Sequence, residues 1–396
     1  MERIQLFKPR ICEAGANAAR DVILSSWPGM GLKVKQFEED LSRYIDCTGD
    51  LHVVALNSGT AALHIACQIA KENLPGRPYI LSTPMTFVST NHAIKYVGLE
   101  PIFTDVEWNT GNMEWHSFCK AIREYGDKIA AILPVHYGGQ PVDLYDMKYY
   151  LKKHGQGCIP IIEDCAHAMG GEYMGNTIGR GDLCCFSFHA VKNLPIGDGG
   201  ALTTYDRVWA EKAKRLRWLG IDKSTYDRAE TNKGYLWYYE CPEVGFKSHM
   251  DDIHAAIGIE QLKVLDEENK RREEIARLYT EGFAKMTDVW PLHQKGCRTN
   301  TWHLYVIRFA TREIRDKVQD ELSICGVGTG VHYLPNYKFE PYKNCIKIDN
   351  CPQAEEFYQV ALTLPMHMYL TDHDVKEVVW LIGEALNGDK KGSQES

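Results

Sequence analysis

The chain has 396 residues, of which 44% are hydrophobic and 25% are charged, as is ordinary for a globular protein. Its formal net charge of −8, from 45 Lys and Arg against 53 Asp and Glu, provides no basic surface for nucleic acid or anionic membrane. Because no apolar run reaches the roughly 18 residues of a membrane span, no secretory leader is evident and the thirteen cysteines form no C-x-x-C pair, we expect a cytoplasmic protein with reduced thiols and no metal site.

Seven short apolar runs predict the strands of one sheet. Segments with helical spacing lie between several of them, so the sheet should be mainly parallel and covered on both faces. The last two runs leave no room for a helix, which predicts local antiparallel pairing. Reactive groups in such a sheet gather at the carboxyl ends of the strands. The runs are 53–56, 79–84, 101–106, 129–135, 159–165, 183–188 and 200–205.

The pattern changes after about residue 210. Residues 251–283 read as one long or bent helix with an apolar stripe, and a strand-like run at 304–309 is followed by a helical pattern at 313–326. We therefore predict two domains and a tail: a large α/β domain over 1–265, whose N-terminal segment can pack with the small domain, a small α+β domain over 266–386, and a disordered tail over 387–396.

The run 57-NSGTAALHIA-66 follows a strand and opens a helix. The backbone N–H groups around Ser58, Gly59 and Thr60 therefore lie at a positive helix N-terminus, which favours an anion and most naturally a phosphate. A simple N-cap by Ser58 or Thr60 is the alternative explanation.

Two further residues lie at predicted strand ends. Phe87 comes just beyond the second strand, where it could stack on a planar ring or pack in the core. Asp164 ends an apolar strand, and a carboxylate there needs a partner because burying an unpaired charge is costly. A cationic ring nitrogen would serve, whereas a metal would need more ligands than Asp164 and His167 supply.

Lys192 follows the apolar strand 183–188, where turn residues rather than an amine are usual. A phosphate site, a stacking ring, a carboxylate and an amine at one sheet edge are the parts that hold pyridoxal phosphate (PLP). The glycine-rich segments 197-GDGG-200 and 326-GVGTGV-331 do not fit the dinucleotide motif G-x-G-x-x-G, and the serine hydrolase motif G-x-S-x-G is missing.

With these residues assembled, the sequence resembles the sugar aminotransferases of the DegT/DnrJ/EryC1/StrS family over most of its length. Within that family it is similar to the UDP-4-amino-4-deoxy-L-arabinose aminotransferase type, which shares wording like 134-PVHYGGQPVDL-144, 187-SFHAVKN-193 and 328-GTGVHY-333. The other matching segments are 27-WPGMGLKVKQFEEDL-41, 57-NSGTAALHIA-66, 83-TPMTFVST-90, 100-EPIFTDVE-107, 163-EDCAHAMGGEY-173, 197-GDGGALTT-204 and 252-DIHAAIGIEQL-262.

The resemblance implies a PLP-dependent aminotransferase of fold type I, with a mainly parallel seven-stranded sheet and a smaller C-terminal α+β domain. It also implies roles for single residues. Lys192 would form the Schiff base with PLP, Asp164 would pair with the pyridinium nitrogen, and Phe87 would stack on the ring. His167 would lie near the phenolic oxygen. The phosphate would be held by Ser58, Gly59, Thr60 and Ser187, and the substrate by Trp27, Lys33, His189, His332 and Tyr333.

Two segments depart from the family pattern. Many relatives carry an asparagine that reaches the partner subunit's phosphate in the segment that here reads 245-GFKSHMDDIHAA-256, where Lys247 and His249 stand instead. A lysine can still meet a phosphate as a point charge, so we assign the contact to Lys247 and keep His249 as the alternative. The stretch 216-LRWLGIDKSTYDR-228 differs from the usual R-x-H-G wording, which leaves sugar recognition open.

The function that follows from the resemblance is transamination by a homodimer with shared active sites. L-Glutamate would donate its amino group, through pyridoxamine phosphate (PMP), to a nucleotide-linked 4-keto sugar, giving a 4-amino sugar and 2-oxoglutarate. A C3 ketosugar aminotransferase or a PLP-dependent sugar dehydratase is an alternative, although a dehydratase branch of the family has histidine where Lys192 stands. A non-catalytic PLP-binding regulatory protein is another, but a DNA-binding segment is absent.

Overall fold

The computed structural model describes residues 3–25, 27–222 and 239–392. Part of the divergent stretch 216–228 therefore lies outside the described residues. The helices are α1 (Glu13–Leu24), α2 (Leu32–Ile45), α3 (Gly59–Asn73), α4 (Val88–Tyr96), α5 (Trp115–Tyr125), α6 (Leu144–Lys153), α7 (Arg207–Arg217), α8 (Asp252–Phe283), α9 (Arg312–Ile324), α10 (Pro352–Val360) and α11 (Asp372–Gly392). The strands are β1 (His52–Leu56), β2 (Tyr79–Ser82), β3 (Glu100–Phe103), β4 (Ile129–Leu133), β5 (Ile162–Asp164), β6 (Glu172–Tyr173), β7 (Asn176–Thr177), β8 (Leu183–Ser187), β9 (Gly200–Thr204), β10 (Trp290–Pro291), β11 (Arg298–Thr299), β12 (Tyr305–Arg308), β13 (Ile346–Lys347) and β14 (Ala361–Leu364).

The seven predicted strands form a central sheet in the order β1-β9-β8-β5-β4-β2-β3. Its two halves, each hydrogen-bonded within itself, meet between β4 and β5 through the parallel bridges Ile132 to Ile161 and Val135 to Asp164. The short strand β13 adds to the edge beside β3. Strand β9 pairs antiparallel with both β1 and β8, and the remaining pairs are parallel. The prediction of local antiparallel pairing at the last two runs is therefore confirmed.

Apolar cores cover both faces of this sheet. Successive residues of β1 alternate between them, with Val54 and Leu56 in one and Val53 and Ala55 in the other. Strands buried on both faces read as continuous apolar runs, which is why these segments could be recognised in the sequence. No helix of the described residues is both long enough and apolar enough to cross a membrane.

The long helix α8 belongs to two cores. Its first half, with Ile257 and Leu265, packs with the sheet, whereas Ile275, Tyr279 and Phe283 pack in a separate core with the three-stranded sheet β10-β12-β14 and helices α9 and α11. We call this second unit the small domain. The expected boundary at 265/266 thus falls inside one continuous helix.

The N-terminal segment runs along the small domain. Ile4 forms a parallel bridge with Val327, and the carbonyl oxygen of Leu6 accepts a hydrogen bond of 3.1 Å from the backbone N–H of Met366. This path brings Phe7 to the site described below.

The last helix, α11, continues to Gly392 and so includes six residues of the segment 387–396 for which the sequence predicts disorder. Adding a residue to an existing helix needs no new nucleus, so a polar extension can follow a helix whose earlier turns are packed, as Val375, Val378 and Ile382 are. Residues 393–396 lie outside the described residues.

Candidate active site

A cavity of about 520 Å³ opens where strands β1, β2, β5 and β8 end. Its walls come from the loops that follow those strands, from the loop between β8 and β9, and from the small domain. Eleven of the sequence-predicted residues line it, namely Ser58, Gly59, Thr60, Phe87, Asp164, His167, Ser187, His189, Lys192, His332 and Tyr333.

Lys192 lies in the loop that joins β8 to β9. Its backbone N–H donates to the carbonyl oxygen of His189 at 2.8 Å, which forms a tight turn at the tip of the loop. Burial lowers the pKa of the Lys192 amine to about 8, and the nearby carboxyl of Asp164 opposes that shift. An amine with this pKa is partly unprotonated near neutral pH, as a general base must be.

Asp164 ends β5 and is 3% exposed. Its Oδ2 accepts a hydrogen bond of 2.7 Å from the hydroxyl of Thr90, and its Oδ1 accepts one of 3.1 Å from the backbone N–H of Ala166. Burial raises the pKa of Asp164, while these two bonds and the charge of Lys192 lower it. A cationic ring nitrogen beside Asp164 would stabilise the charged form of the carboxylate, which burial disfavours.

The turn between β1 and α3 presents donors to the same cavity. Ser58 is the N-cap of α3, and its hydroxyl oxygen accepts from the N–H of Ala61 at 3.1 Å. The first bond of the helix joins the N–H of Ala62 to the Ser58 carbonyl, so the N–H groups of Gly59 and Thr60 precede the helical ladder. Ser58 thus caps the helix and lines the cavity, and the donors fit a phosphate.

Glycine is required at two points of this cradle. A Cβ on Gly59 would lie 2.7 Å from the Cβ of Ser187, and a Cβ on Gly200 would lie 2.4 Å from the carbonyl carbon of Ser58. Side chains there would push β8 and β9 away from the start of α3. The two glycines therefore let the strand ends close around the space that a phosphate would occupy.

The hydrogen bonds of His167 fix its neutral form. Its Nδ1 accepts from the backbone N–H of Gly138 at 3.3 Å, so its proton is on Nε2, which lies 3.3 Å from the hydroxyl of Tyr333. Burial is the main cause that holds the pKa of His167 well below its usual range, and the charge of Lys192 adds to it. The hydroxyl of Tyr333 then accepts from His167 and keeps its own proton for another partner.

Four rings form one wall of the cavity. The ring of Phe7 lies parallel to that of His303, with 5.8 Å between the ring centres. The ring centres of His303 and His167 are 4.3 Å apart, and those of His167 and Tyr333 are 6.3 Å apart. Phe87 stands at the rim, 60% exposed, with its ring 6.4 Å from that of Tyr333. An exposed ring at this place is suited to stacking on a planar group that enters the cavity.

Three predicted residues do not line the cavity of their own subunit. Trp27 is 42% exposed, and the backbone N–H of Lys33 is held by Asp252 at 3.1 Å at the start of α2. Nζ of Lys247 lies 3.5 Å from the centre of the Trp218 ring.

The alternative to Lys247 lies beside it. The ring of His249 packs edge-on against the ring of Trp218, with 4.4 Å between the ring centres. Burial lowers the pKa of His249 to about 4. Within the described part of the chain, the buried Nδ1 of His249 and the buried Nε1 of Trp218 have no hydrogen-bond partner.

Sequence reasoning missed several residues of the wall, among them Phe7, Thr90 and His303. Thr90 lies in the segment 83–90 that also contains Phe87, and its hydroxyl group three residues after Phe87 is the signal in the sequence that points to it. Phe7 and His303 carry no local signal, because each reaches the cavity only through the packing of the small domain.

A second group of polar residues, His136, Glu163 and Cys165, is buried on the opposite face of β5 with its ligand-type atoms within 4.8 Å of one another. The N–H of Val142 donates to Nδ1 of His136 at 3.1 Å, so Nε2 carries the proton and donates to Glu163 at 3.3 Å. His136 and Glu163 therefore form a buried hydrogen-bonded pair.

A lysine in the loop after a strand, a carboxylate on the adjacent strand and a phosphate cradle at the first βα turn define the PLP-dependent aminotransferases of fold type I. The chain belongs to the DegT/DnrJ/EryC1/StrS aminotransferase family, whose model matches residues 9–382. It is a PLP-dependent sugar aminotransferase.

Individual relatives match along nearly their whole length. The chain is 35% identical over 392 residues to the spore coat polysaccharide biosynthesis protein SpsC of Bacillus subtilis, covering 96% of each chain. It is 33% identical over 385 residues to UDP-4-amino-4,6-dideoxy-N-acetyl-β-L-altrosamine transaminase of Campylobacter jejuni, again covering 96% of each. The structure of Spr1654 from Streptococcus pneumoniae in its PMP form superposes with a TM-score of 0.87 at 29% identity, covering 97% of this chain and 99% of that one.

Proposed function

We propose that this protein transfers the amino group of L-glutamate to the C4 keto group of a nucleotide-linked sugar, in amino-sugar or polysaccharide biosynthesis. The observation that carries the proposal is that Lys192 and Asp164 face one cavity beside the open start of α3. The similarity to the Campylobacter jejuni transaminase supports a UDP-linked substrate. The segments shared with the UDP-4-amino-4-deoxy-L-arabinose aminotransferase type support position C4.

The cavity residues fit the cofactor. The N–H groups of Gly59 and Thr60, with the hydroxyls of Ser58 and Ser187, would hold the phosphate, and Phe87 would cover one face of the ring. Asp164 would keep the ring nitrogen protonated. When bound, PLP supplies an electron-accepting ring and carries the amino group between the two half-reactions, alternating with PMP.

Lys192 is proposed as the group that moves the proton. Its amine would take a proton from the α-carbon of glutamate in the first half-reaction and deliver one to C4 of the sugar in the second. The pKa of about 8 lets the same nitrogen hold and release a proton near neutral pH. His167, neutral and with its proton on Nε2, would hold Tyr333 at the cofactor's phenolic side and orient the Tyr333 hydroxyl.

We also propose a homodimer in which each subunit completes the other's site, in the cytoplasm. Many relatives carry in the segment 245–256 an asparagine that reaches the partner subunit's phosphate, and Lys247 stands there instead, which supports a partner surface at this place. Trp27 and Lys33 would reach substrate only across such an interface, whereas His189, His332 and Tyr333 would contact it from within the same subunit.

The test is the absorption spectrum of the PLP-loaded protein before and after addition of L-glutamate. We expect a visible band that is lost as the PMP form appears, and no such change in Lys192→Ala. Incubating the PMP form with UDP-linked 4-keto and 3-keto sugars then identifies the product by mass and NMR. A band that does not respond to any amino donor would contradict the proposal, and a 3-amino product would contradict the assignment to C4.

The cross-subunit contact has its own test. Lys247→Ala and His249→Ala are each compared with the wild type for PLP affinity and for dimer mass by light scattering. We expect Lys247→Ala to weaken PLP binding without dissociating the dimer. If only His249→Ala weakens binding, the contact belongs to His249.

A further inference from the structure

Asn193, the residue after Lys192, is 3% exposed and uses its whole side-chain amide. Its Nδ2 donates to Oδ1 of Asn269 on helix α8 at 2.8 Å and to the carbonyl oxygen of Thr301 at 2.8 Å. Its Oδ1 lies 3.2 Å from Nδ1 of His303. Because an amide oxygen can only accept, the Nδ1 of His303 donates to it.

This direction fixes the state of His303. The ring is 2% exposed, and burial, with the neighbouring His167 and Lys192, holds its pKa well below the usual range. A neutral ring with its proton on Nδ1 keeps the lone pair on Nε2. His303 lines the cavity and lies 4.3 Å from the ring of His167, so the same side chain borders the reacting space and holds Asn193.

The partners of Asn193 are themselves tied to the site. Nδ2 of Asn269 donates to the carbonyl oxygen of Met169 at 3.0 Å, and the hydroxyl of Thr301 donates to the carbonyl oxygen of His167. The tip of the Lys192 loop is thereby joined to α8, to the segment after β5 and to the small domain. The base of that loop is closed separately by β8 and β9, through the bond from the N–H of Phe188 to the carbonyl of Gly199 at 2.8 Å.

We infer that Asn193 and His303 are positioning residues for Lys192, and that their hydrogen bond sets where the amine stands relative to Asp164 and His167. This inference rests on the proposed role of Lys192. Neither residue needs to touch the reacting atoms. A fully satisfied buried network holds one geometry, and an error of about 1 Å in a reacting group can cost on the order of 100-fold in rate.

The experiment uses His303→Phe, which keeps the ring stack and removes the Nδ1 donor, together with Asn193→Ala and the double variant. Three quantities are measured on the PLP-loaded proteins: the midpoint of the pH titration of the visible band, the rate of the half-reaction with L-glutamate, and Tm. The titratable groups that face Lys192 are Asp164, His167, His303 and His332, and only His303 is altered.

We expect the titration midpoint to move by about half a pH unit or more and the rate to fall ~10- to 100-fold in both single variants. The double variant should be no worse than the more affected single variant, because both changes break one bond. The matched control is Asn112→Ala, a 3% exposed amide that accepts from Tyr137 N–H at 2.9 Å and donates to the Gln140 carbonyl at 3.1 Å without lining the cavity. It should lower Tm and leave the midpoint unchanged.

The inference is overturned if the variants lower Tm as the control does while the midpoint stays in place and the rate stays within twofold of the wild type. If Asn193→Ala does not fold, His303→Phe alone decides the question. A wild-type protein without a visible band, or a Lys192→Ala protein whose band is lost on addition of L-glutamate as in the wild type, would instead contradict the proposed function.

Discussion

The hydroxyl of Thr90 on helix α4 donates a hydrogen bond of 2.7 Å to Oδ2 of Asp164 at the end of strand β5. Since Thr90 gives its proton to the carboxylate, the hydroxyl of Thr86, 2.8 Å away, donates to Thr90 in turn. Two threonines from the segment 83–90 therefore stabilise the charged form of the carboxylate that would face the cofactor's ring nitrogen.

Thr90→Val keeps the shape and removes the donor. A hydrogen bond to a charged group contributes about 1.5–3 kcal/mol, so we expect PLP to bind roughly 10-fold more weakly or worse. The measurement is a spectrophotometric titration of the cofactor-free protein with PLP. Thr104→Val is the control, because its buried hydroxyl donates to the Ser82 carbonyl at 3.2 Å away from the cavity. Equal affinities of the two variants for PLP would contradict a role of Thr90 in cofactor binding.

Gly59→Ala places a methyl group 2.7 Å from the Cβ of Ser187. Overpacking of this kind costs about 1–3 kcal/mol, and here it also opens the phosphate cradle. We expect a lower Tm together with a weaker affinity for both PLP and inorganic phosphate. Gly296→Ala meets nothing within 4 Å and should behave as the wild type in the same titrations. A Gly59→Ala protein with unchanged phosphate affinity would argue against the cradle.

The lowered pKa of Lys192 makes the stability of the cofactor-free protein depend on pH. Its pKa is about 8 in the folded protein and 10.5 as the ordinary value, so between these pH values the unfolded chain binds more protons and stability rises with pH. Lys192→Met has no titrating amine at this position and therefore lacks this contribution to the pH dependence. The free energy of unfolding of the cofactor-free variant should therefore exceed that of the wild type by on the order of 3 kcal/mol below pH 8, and the difference should shrink towards pH 10.5. Urea unfolding at pH 7 and pH 9.5 measures it, and a difference that grows with pH would contradict the assignment.

Asp252, the first residue of α8, caps the start of helix α2. Its carboxylate accepts from the N–H groups of Gly31, Lys33 and Val34 at 2.8, 3.1 and 2.9 Å, where the N-cap glycine has no side chain to do so. Asp252→Ala leaves these donors unpaired, and we expect it to lower the free energy of unfolding by about 3 kcal/mol. Asp206→Ala, which removes an ordinary exposed N-cap from α7, should cost about 1 kcal/mol. Similar losses in urea unfolding for the two variants would contradict this role.

Some of the site was readable from the sequence for a physical reason. Strands buried on both faces are continuous apolar runs, and the loop residues at their carboxyl ends share one edge of the sheet. The sequence alone therefore predicts that Ser58, Asp164 and Lys192 lie at the same edge. Strands β6, β7 and β11 have two residues each and show no periodicity.

The remainder depends on contacts between distant segments. Asn193 and His303 are 110 positions apart, and Thr90 and Asp164 are 74 apart. No local pattern marks such pairs, because Thr90 meets Asp164 only when the central sheet has formed, and Asn193 meets His303 only when the small domain has packed against it. Helix α11 continues to Gly392, into a segment whose polar composition predicts disorder, and the packed turns before it are the long-range contribution that composition does not show.

The path of the N-terminal segment has a consequence for synthesis of the chain. Ile4 pairs with Val327, 323 positions later, and Phe7 stacks on His303. During translation these early residues emerge long before their partners, while the strands of the central sheet up to β9 can already pair. The cavity can therefore close around its cofactor only when the ribosome has delivered the small domain, so the nascent large domain should not hold PLP in the finished geometry.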